Sequence, residues 1–112
     1  MSMGRKKLTP GLLALVAERF KALGEPARLA ILNQLRDGEA TVSDLIDGTG
    51  MGQANVSKHL QLLHALQFVA RRKEGLFVYY SLADESVFEL CDVMCGRIAN
   101  ETRERGRIVA GR

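Results

Sequence analysis

The stretch TVSDLIDGTGMGQANVSKHLQLLHALQ, residues 41–67, decides the fold. It opens on Thr41-Val42-Ser43-Asp44, a capping box in which a carboxylate follows the threonine by three residues. Leu45, Ile46 and Asp47 continue a short helix, and Gly48-Thr49-Gly50-Met51-Gly52 reads as a glycine-punctuated turn. From about Gln53 to Gln67 a longer helix carries Val56, Leu60, Leu63 and Leu66 on its inner stripe. A short helix, a tight turn and a longer helix make a helix-turn-helix plan.

Upstream, Thr9-Pro10 supplies an N-cap and a proline at the first helical position. Leu12, Leu13, Val16, Ala17, Phe20 and Leu23 then repeat at helical spacing up to Gly24. Glu25-Pro26 starts a second helix with Leu29, Leu32 and Leu35 inward, Ala30 and Ile31 widening that face, and Asp37-Gly38 ending it. Downstream of Phe68 the period falls to two. Val69 to Lys73 and Leu76 to Leu82 read as strands joined at Glu74-Gly75. Asp84 caps a last helix whose apolar stripe holds Val87, Phe88, Leu90, Cys91, Met94, Cys95 and Ile98. Residues 1–8 are expected to form a flexible basic arm, and about 101–112 a charged tail that frays. The expectation is one domain over 1–112, mainly α with a small β-hairpin. This is a winged helix-turn-helix in which the helices flanking the core form a dimer interface.

Composition narrows the function classes. A chain of 112 residues, 46% hydrophobic and 26% charged, suits one globular domain and is too short for a doubly wound or barrel enzyme. Sixteen Lys and Arg against thirteen Asp and Glu leave a net charge of +3, which permits a polyanionic partner without requiring one. The apolar run from Leu8 to Ala17 contains Pro10 and Gly11 and falls short of the ~20 residues of a membrane span. No membrane partner and no targeting segment are expected. Two cysteines cannot build a disulfide framework, so a cytoplasmic chain with reduced thiols is the default. A catalytic reading would use Gly48, Gly50 and Gly52 as a phosphate loop. A helix precedes them, however, and no Lys-Ser/Thr pair follows. With no paired carboxylates and no Ser/His/Asp grouping, an enzyme is not expected.

The binding chemistry lies on the longer helix. Ala54, Ser57, Lys58 and Gln61 fall at i, i+3, i+4 and i+7 and share one face, with Gln53 in the first turn. That face lacks carboxylates and large apolar groups. Small and amide side chains approach base edges in a major groove, and cations meet phosphate. A merely solvated face is the alternative. Arg71-Arg72-Lys73 on the first strand puts a cation on either face, and Arg28 lies in the first turn of its helix, where free amides favour phosphate. Together these residues make a plausible footprint for double-stranded DNA. A winged-helix module that binds protein is the runner-up.

These segments resemble the ArsR/SmtB family of winged-helix repressors. The likeness is carried by Leu23 to Leu32, by Asn55 to Leu63, by Arg72-Lys73-Glu74-Gly75 and by Val78 to Leu82, and it covers roughly residues 12–98. It implies a homodimer, paired through the first and last helices, that binds operator DNA and releases it when an inducer binds. A twofold pair sets its reading helices about one DNA turn, ~34 Å, apart, so a palindromic operator is expected. The chain departs from the family's metal sensors. Thr41 and Ser43 stand where arsenic- and cadmium-type members carry cysteines. Asp84 matches one zinc-type ligand, but Ser86, Arg97 and Asn100 stand at the others. No metal site of those types is expected. Cys91 and Cys95 remain, four residues apart on one helix face. Two readings fit them: packing in the apolar stripe, or sensing of an inducer such as a thiophilic metalloid or a reactive sulfur species.

Overall fold

The computed structural model describes residues 6–105, so most of the expected arm and residues 106–112 of the tail lie outside the described residues. Five helices and one hairpin follow in the order α1 (Pro10–Leu23), α2 (Pro26–Gln34), α3 (Val42–Thr49), α4 (Gln53–Ala65), β1 (Val69–Glu74), β2 (Phe77–Leu82) and α5 (Val87–Arg105), with a 3-10 turn at Leu35–Asp37. The architecture is that of a winged helix-turn-helix.

The caps that set the helix starts are in place. Thr9 Oγ1 accepts the Leu12 amide at 3.1 Å, one residue ahead of Pro10. Thr41 and Asp44 exchange hydrogen bonds of 3.1 and 3.0 Å, a complete capping box. Gly48 belongs to α3 rather than to the turn after it. The Gln34 amide lies against it and donates to its carbonyl at 3.2 Å, where a Cβ would come within 2.3 Å of Gln34 Oε1. The turn therefore shortens to Gly50-Met51-Gly52, with Gly50 left-handed at φ +78°.

α4 stops at Ala65, two residues before the expected end. The Phe68 amide donates to the Leu63 carbonyl at 2.8 Å and the Gln67 amide to His64 at 3.0 Å, the two bonds of a Schellman cap. Gln67 takes the left-handed position at φ +67°, a place usually given to glycine. In the hairpin, Val69 pairs with Leu82 and Glu74 with Phe77, leaving Gly75 and Leu76 as the loop. The loop thus sits one residue later than expected. Gly75, at φ +62°, supplies the positive dihedral that such a tight loop needs. Ala40 bridges Tyr80 through two backbone hydrogen bonds, so the segment before α3 extends the hairpin by one rung.

The core gathers Ile31, Leu32, Leu35, Leu45, Val56, Leu60, Leu63, Val69 and Val87. α2 turns Ile31, Leu32 and Leu35 inward because α3 and α4 both pack on that side. Leu29 and Ala30, expected inward, face out. α5 is anchored at its first turn by Val87 and Phe88. Asp84 shapes the approach to α5, its Oδ1 accepting the Ser86 amide at 2.9 Å, rather than capping the helix itself. The helix runs past Asn100 to Arg105, so residues 101–105 of the expected tail are helical in the structure. No glycine or proline interrupts that stretch, and Thr102 Oγ1 donates to the Ile98 carbonyl at 2.7 Å.

The flanking helices, expected to pair with a second copy, leave much of their apolar faces uncovered in the single chain. In α1 only Ala22 is buried, and Leu12, Leu13 and Phe20 are exposed, Phe20 to 57%. In α5, Leu90, Val93, Met94 and Ile98 are exposed, Val93 to 65%. Exposed apolar faces on two helices are the kind of surface through which chains associate.

Candidate nucleic-acid interface

The geometry of α4 follows from its two stripes. Val56, Leu60 and Leu63 are fully buried against α2 and α3. Their burial turns Gln53, Ala54, Lys58 and Gln61 outward, with Ser57 half-buried at the edge. Gly52 caps the helix without a side chain, so the first-turn amides have no side-chain cap. Among the described residues, the side chains of Gln53, Ser57, Lys58 and Gln61 make no hydrogen bond or ion pair. The face is polar, free of carboxylates and uncommitted.

The hairpin sorts the three cations that the sequence left equivalent. Arg72 lies opposite Tyr79, and its guanidinium carbon sits 4.6 Å from that ring centre. Nη2 and Nε of Arg72 reach the two Glu39 oxygens at 2.5 and 3.1 Å, and Nη1 reaches Glu74 at 2.6 Å. These bonds hold the Glu39 carboxyl below its ordinary range and push the Arg72 guanidinium further toward its charged form. Arg71 and Lys73 share the other face with Tyr80 and Val78, are exposed, and have no ion-pair partner among the described residues. The available positive charge of the hairpin is theirs.

Arg28 is committed inside the fold. Its Nε donates to the Ala22 carbonyl at 2.7 Å and its Nη1 to His59 Nδ1 at 3.2 Å. His59 accepts through Nδ1 and so carries its proton on Nε2. Burial, then the Arg28 charge and that of Lys58, hold His59 below the ordinary histidine value, against a weaker pull from Glu25. Arg28 thus fastens the end of α1 and the start of α2 to the middle of α4. The expected phosphate contact at Arg28 competes with this internal role. The link spans 31 residues and leaves no local sequence signal.

Cys91 is half-buried and Cys95 exposed. They line a groove of about 360 Å³ between α2 and α5 with Leu29, Asn33, Arg36 and Phe88. The Arg36 guanidinium lies over the Phe88 ring, 4.1 Å from its centre. Among the described residues, no three His, Cys, Asp or Glu side chains cluster as a metal site would need. Thr41, at a cysteine position of the metal sensors, spends its hydroxyl in the capping box. No helix of the described residues is long and apolar enough to cross a membrane.

Comparison with known proteins agrees with this frame. The model of the arsR family of bacterial regulatory proteins matches residues 25–71. The transcriptional regulator NmtR of Mycobacterium tuberculosis is 43% identical over 79 residues, 70% of this chain and 66% of the relative. A cadmium resistance regulatory protein, a CadC homologue of Staphylococcus aureus, is 42% identical over 78 residues, 69% of this chain and 64% of its own. The chain therefore spans about two thirds of these relatives. Among solved structures, the homodimeric winged helix-turn-helix DNA-binding domain Mb0332 of Mycobacterium bovis superposes with a TM-score of 0.69 at 35% identity, covering 88% of this chain and 91% of that one. NolR of Sinorhizobium fredii superposes with a TM-score of 0.71 at 29% identity, covering 80% and 92%. By fold, by the matched segment and by these relatives, the chain belongs to the ArsR family of bacterial regulatory proteins.

Proposed function

We propose that this protein is a homodimeric transcriptional repressor that holds a palindromic operator and lets it go when an inducer binds or reacts. One observation carries the reading: the face of α4 bearing Gln53, Ala54, Ser57, Lys58 and Gln61 is free of carboxylates and uncommitted among the described residues, and the hairpin adds Arg71 and Lys73, exposed and without an ion-pair partner among the described residues. Amides and a hydroxyl then read base edges while the cations neutralise phosphate. The exposed apolar faces of α1 and α5 support self-association, and the Mycobacterium bovis neighbour is a homodimer. The reading puts the protein in the cytoplasm and gives it no catalytic role.

Cys91 and Cys95 are proposed as the inducer site, because the two thiols stand four residues apart on α5 and line one groove against α2. Two thiols displacing two hydroxyls from a trivalent metalloid hydroxide release two waters and need no oxidant. α2 supplies a route to the DNA face, since it carries Leu29 and Asn33 beside the thiols and Arg28 against His59. The DNA-binding reading is tested by mobility shifts on a duplex that the protein itself enriches from a random pool. Binding should fall steeply with salt and be lost in Lys58→Glu. Salt-insensitive binding, or an unaffected Lys58→Glu, would favour a protein-binding module instead.

A further inference from the structure

The groove between α2 and α5 holds more than two thiols. Leu29 and Ala30, which the core leaves facing out, line its α2 side opposite the helix that carries Cys91 and Cys95. Its volume of about 360 Å³ is that of a small-molecule site, well beyond what one ion fills.

The groove also holds a fixed positive charge. The Arg36 guanidinium carbon lies 4.1 Å from the centre of the Phe88 ring and, among the described residues, has no ion-pair partner. Phe88 and Cys91 are three apart on α5, so the stacked guanidinium stands beside the turn that carries Cys91. Asn33 adds an amide, and Asp92 lines the same groove without pairing to Arg36. With ~3.6 residues per turn, Phe88, Cys91 and Cys95 fall on one arc of α5, and Leu90, Val93 and Met94 on another. The groove and the apolar surface open to self-association are therefore different faces of the helix.

Thiols, an apolar wall and an unpaired cation suit an organic molecule with a negative end and a bond that thiols cleave. We propose that the groove directs disulfides bearing a carboxylate onto Cys91, where they leave a lasting mixed disulfide. This rests on the thiol-site reading above and adds a class of reactant to it. The Cys91 thiol gives its proton to solvent, and its sulfur attacks one sulfur of a disulfide R–S–S–R. That S–S bond breaks, a Cys91–S–S–R bond forms, and R–S⁻ leaves with the electron pair. Cys91 is oxidised and the departing half of the disulfide is reduced. Arg36 holds the carboxylate, and Leu29 packs on the carbon chain. Cys95 does not displace the adduct while α5 stays helical. Cβ atoms four residues apart stand about 5–6 Å from each other, and a disulfide needs about 3.5–4.5 Å.

The test follows adduct formation on the full chain by intact mass, without DNA. Dithiodiglycolate, hydroxyethyl disulfide and cystamine serve as anionic, neutral and cationic probes, each rate divided by that of the same probe with N-acetylcysteine amide. So normalised, dithiodiglycolate should outrun hydroxyethyl disulfide by about fivefold, the scale of one exposed charge pair, with cystamine slowest. Arg36→Gln should abolish that order, Arg36→Lys should keep part of it, and Asp92→Asn should widen it. Cys91→Ser should lose the order and Cys95→Ser should keep it, with thermal unfolding checking that each variant is folded. Wild type should retain one bound mercaptoacetate rather than close an internal disulfide. Equal normalised rates, an order unmoved by Arg36→Gln, or a Cys91–Cys95 disulfide overturns the proposal. A failed charge order, while arsenite or cadmium still releases DNA through the cysteines, overturns this proposal alone. Release that survives Cys91→Ser with Cys95→Ser overturns the thiol-site reading and this extension of it.

Discussion

Arg72 closes on both carboxylate oxygens of Glu39, joining the outer strand of the hairpin to the segment that leads into α3. The pair sits next to the Ala40–Tyr80 bridge, so side chains and backbone tie the same two segments together. Arg72 therefore ties the hairpin to that segment, and under the proposed DNA-binding reading Arg71 and Lys73 are the cations left to meet phosphate. Arg71→Ala and Lys73→Ala should each lower the log–log salt slope of DNA binding by about 0.9. Arg72→Ala should weaken binding at an unchanged slope. Glu39→Gln should speed hydrogen exchange at the Tyr80 amide, which donates to Ala40 at 2.8 Å. An Arg72→Ala slope that drops like that of Arg71→Ala would make Arg72 a phosphate contact after all.

The α4 face predicts a different signature. Gln53→Ala and Ser57→Ala remove groups proposed to read bases, so they should relax sequence preference by about 1–3 kcal/mol per lost contact with little change in salt slope. Competition between the enriched duplex and single-base variants measures this. A uniform loss across all variants would assign these side chains to the backbone instead.

Burial of His59, with the Arg28 charge beside it, makes stability depend on pH. His59 is held below its unfolded value of about 6.5, so the unfolded chain binds the extra proton first. The stabilisation is complete above that value and is lost as pH falls through the lower folded one. Melting temperature should therefore drop between about pH 7 and pH 5. His59→Gln, which keeps an acceptor for Arg28 and cannot titrate, should flatten that drop. Arg28→Ala strands the Ala22 carbonyl and the His59 nitrogen and should cost about 1–3 kcal/mol at neutral pH.

The thiol proposal turns on one double variant. Cys91→Ser with Cys95→Ser should fold, dimerise and bind DNA like wild type, yet keep its complex when challenged with arsenite, cadmium, zinc, polysulfide or peroxide. Wild type should release DNA to at least one of them. Release by the double variant would remove both cysteines from the mechanism.

Much of this molecule was legible in its sequence, for local reasons. Thr9-Pro10, the Thr41–Asp44 box and the Val56, Leu60, Leu63 stripe act over a few residues, and each stands where the pattern put it. The α4 stop was not legible, because a Schellman cap built on Gln67 lacks the glycine that normally announces it. The inward face of α2 shifted because α3 and α4 choose which side is buried. Among the site residues, the open face of α4 followed from helical spacing. The internal commitments of Arg28 and Arg72 depend on partners 31 and 33 residues away, beyond any periodic signal. The exposed faces of α1 and α5 read as apolar stripes in sequence, and their place flanking the core gave the expectation that they meet a second copy.

Hydroxyl-radical footprinting of the enriched duplex tests the central claim most directly, since it reports groove occupancy and symmetry in one experiment. The account predicts two protected half-sites related by a dyad, their centres about one helical turn, ~34 Å, apart, and both lost together in Lys58→Glu. A single asymmetric footprint, or protection that survives Lys58→Glu, would contradict it.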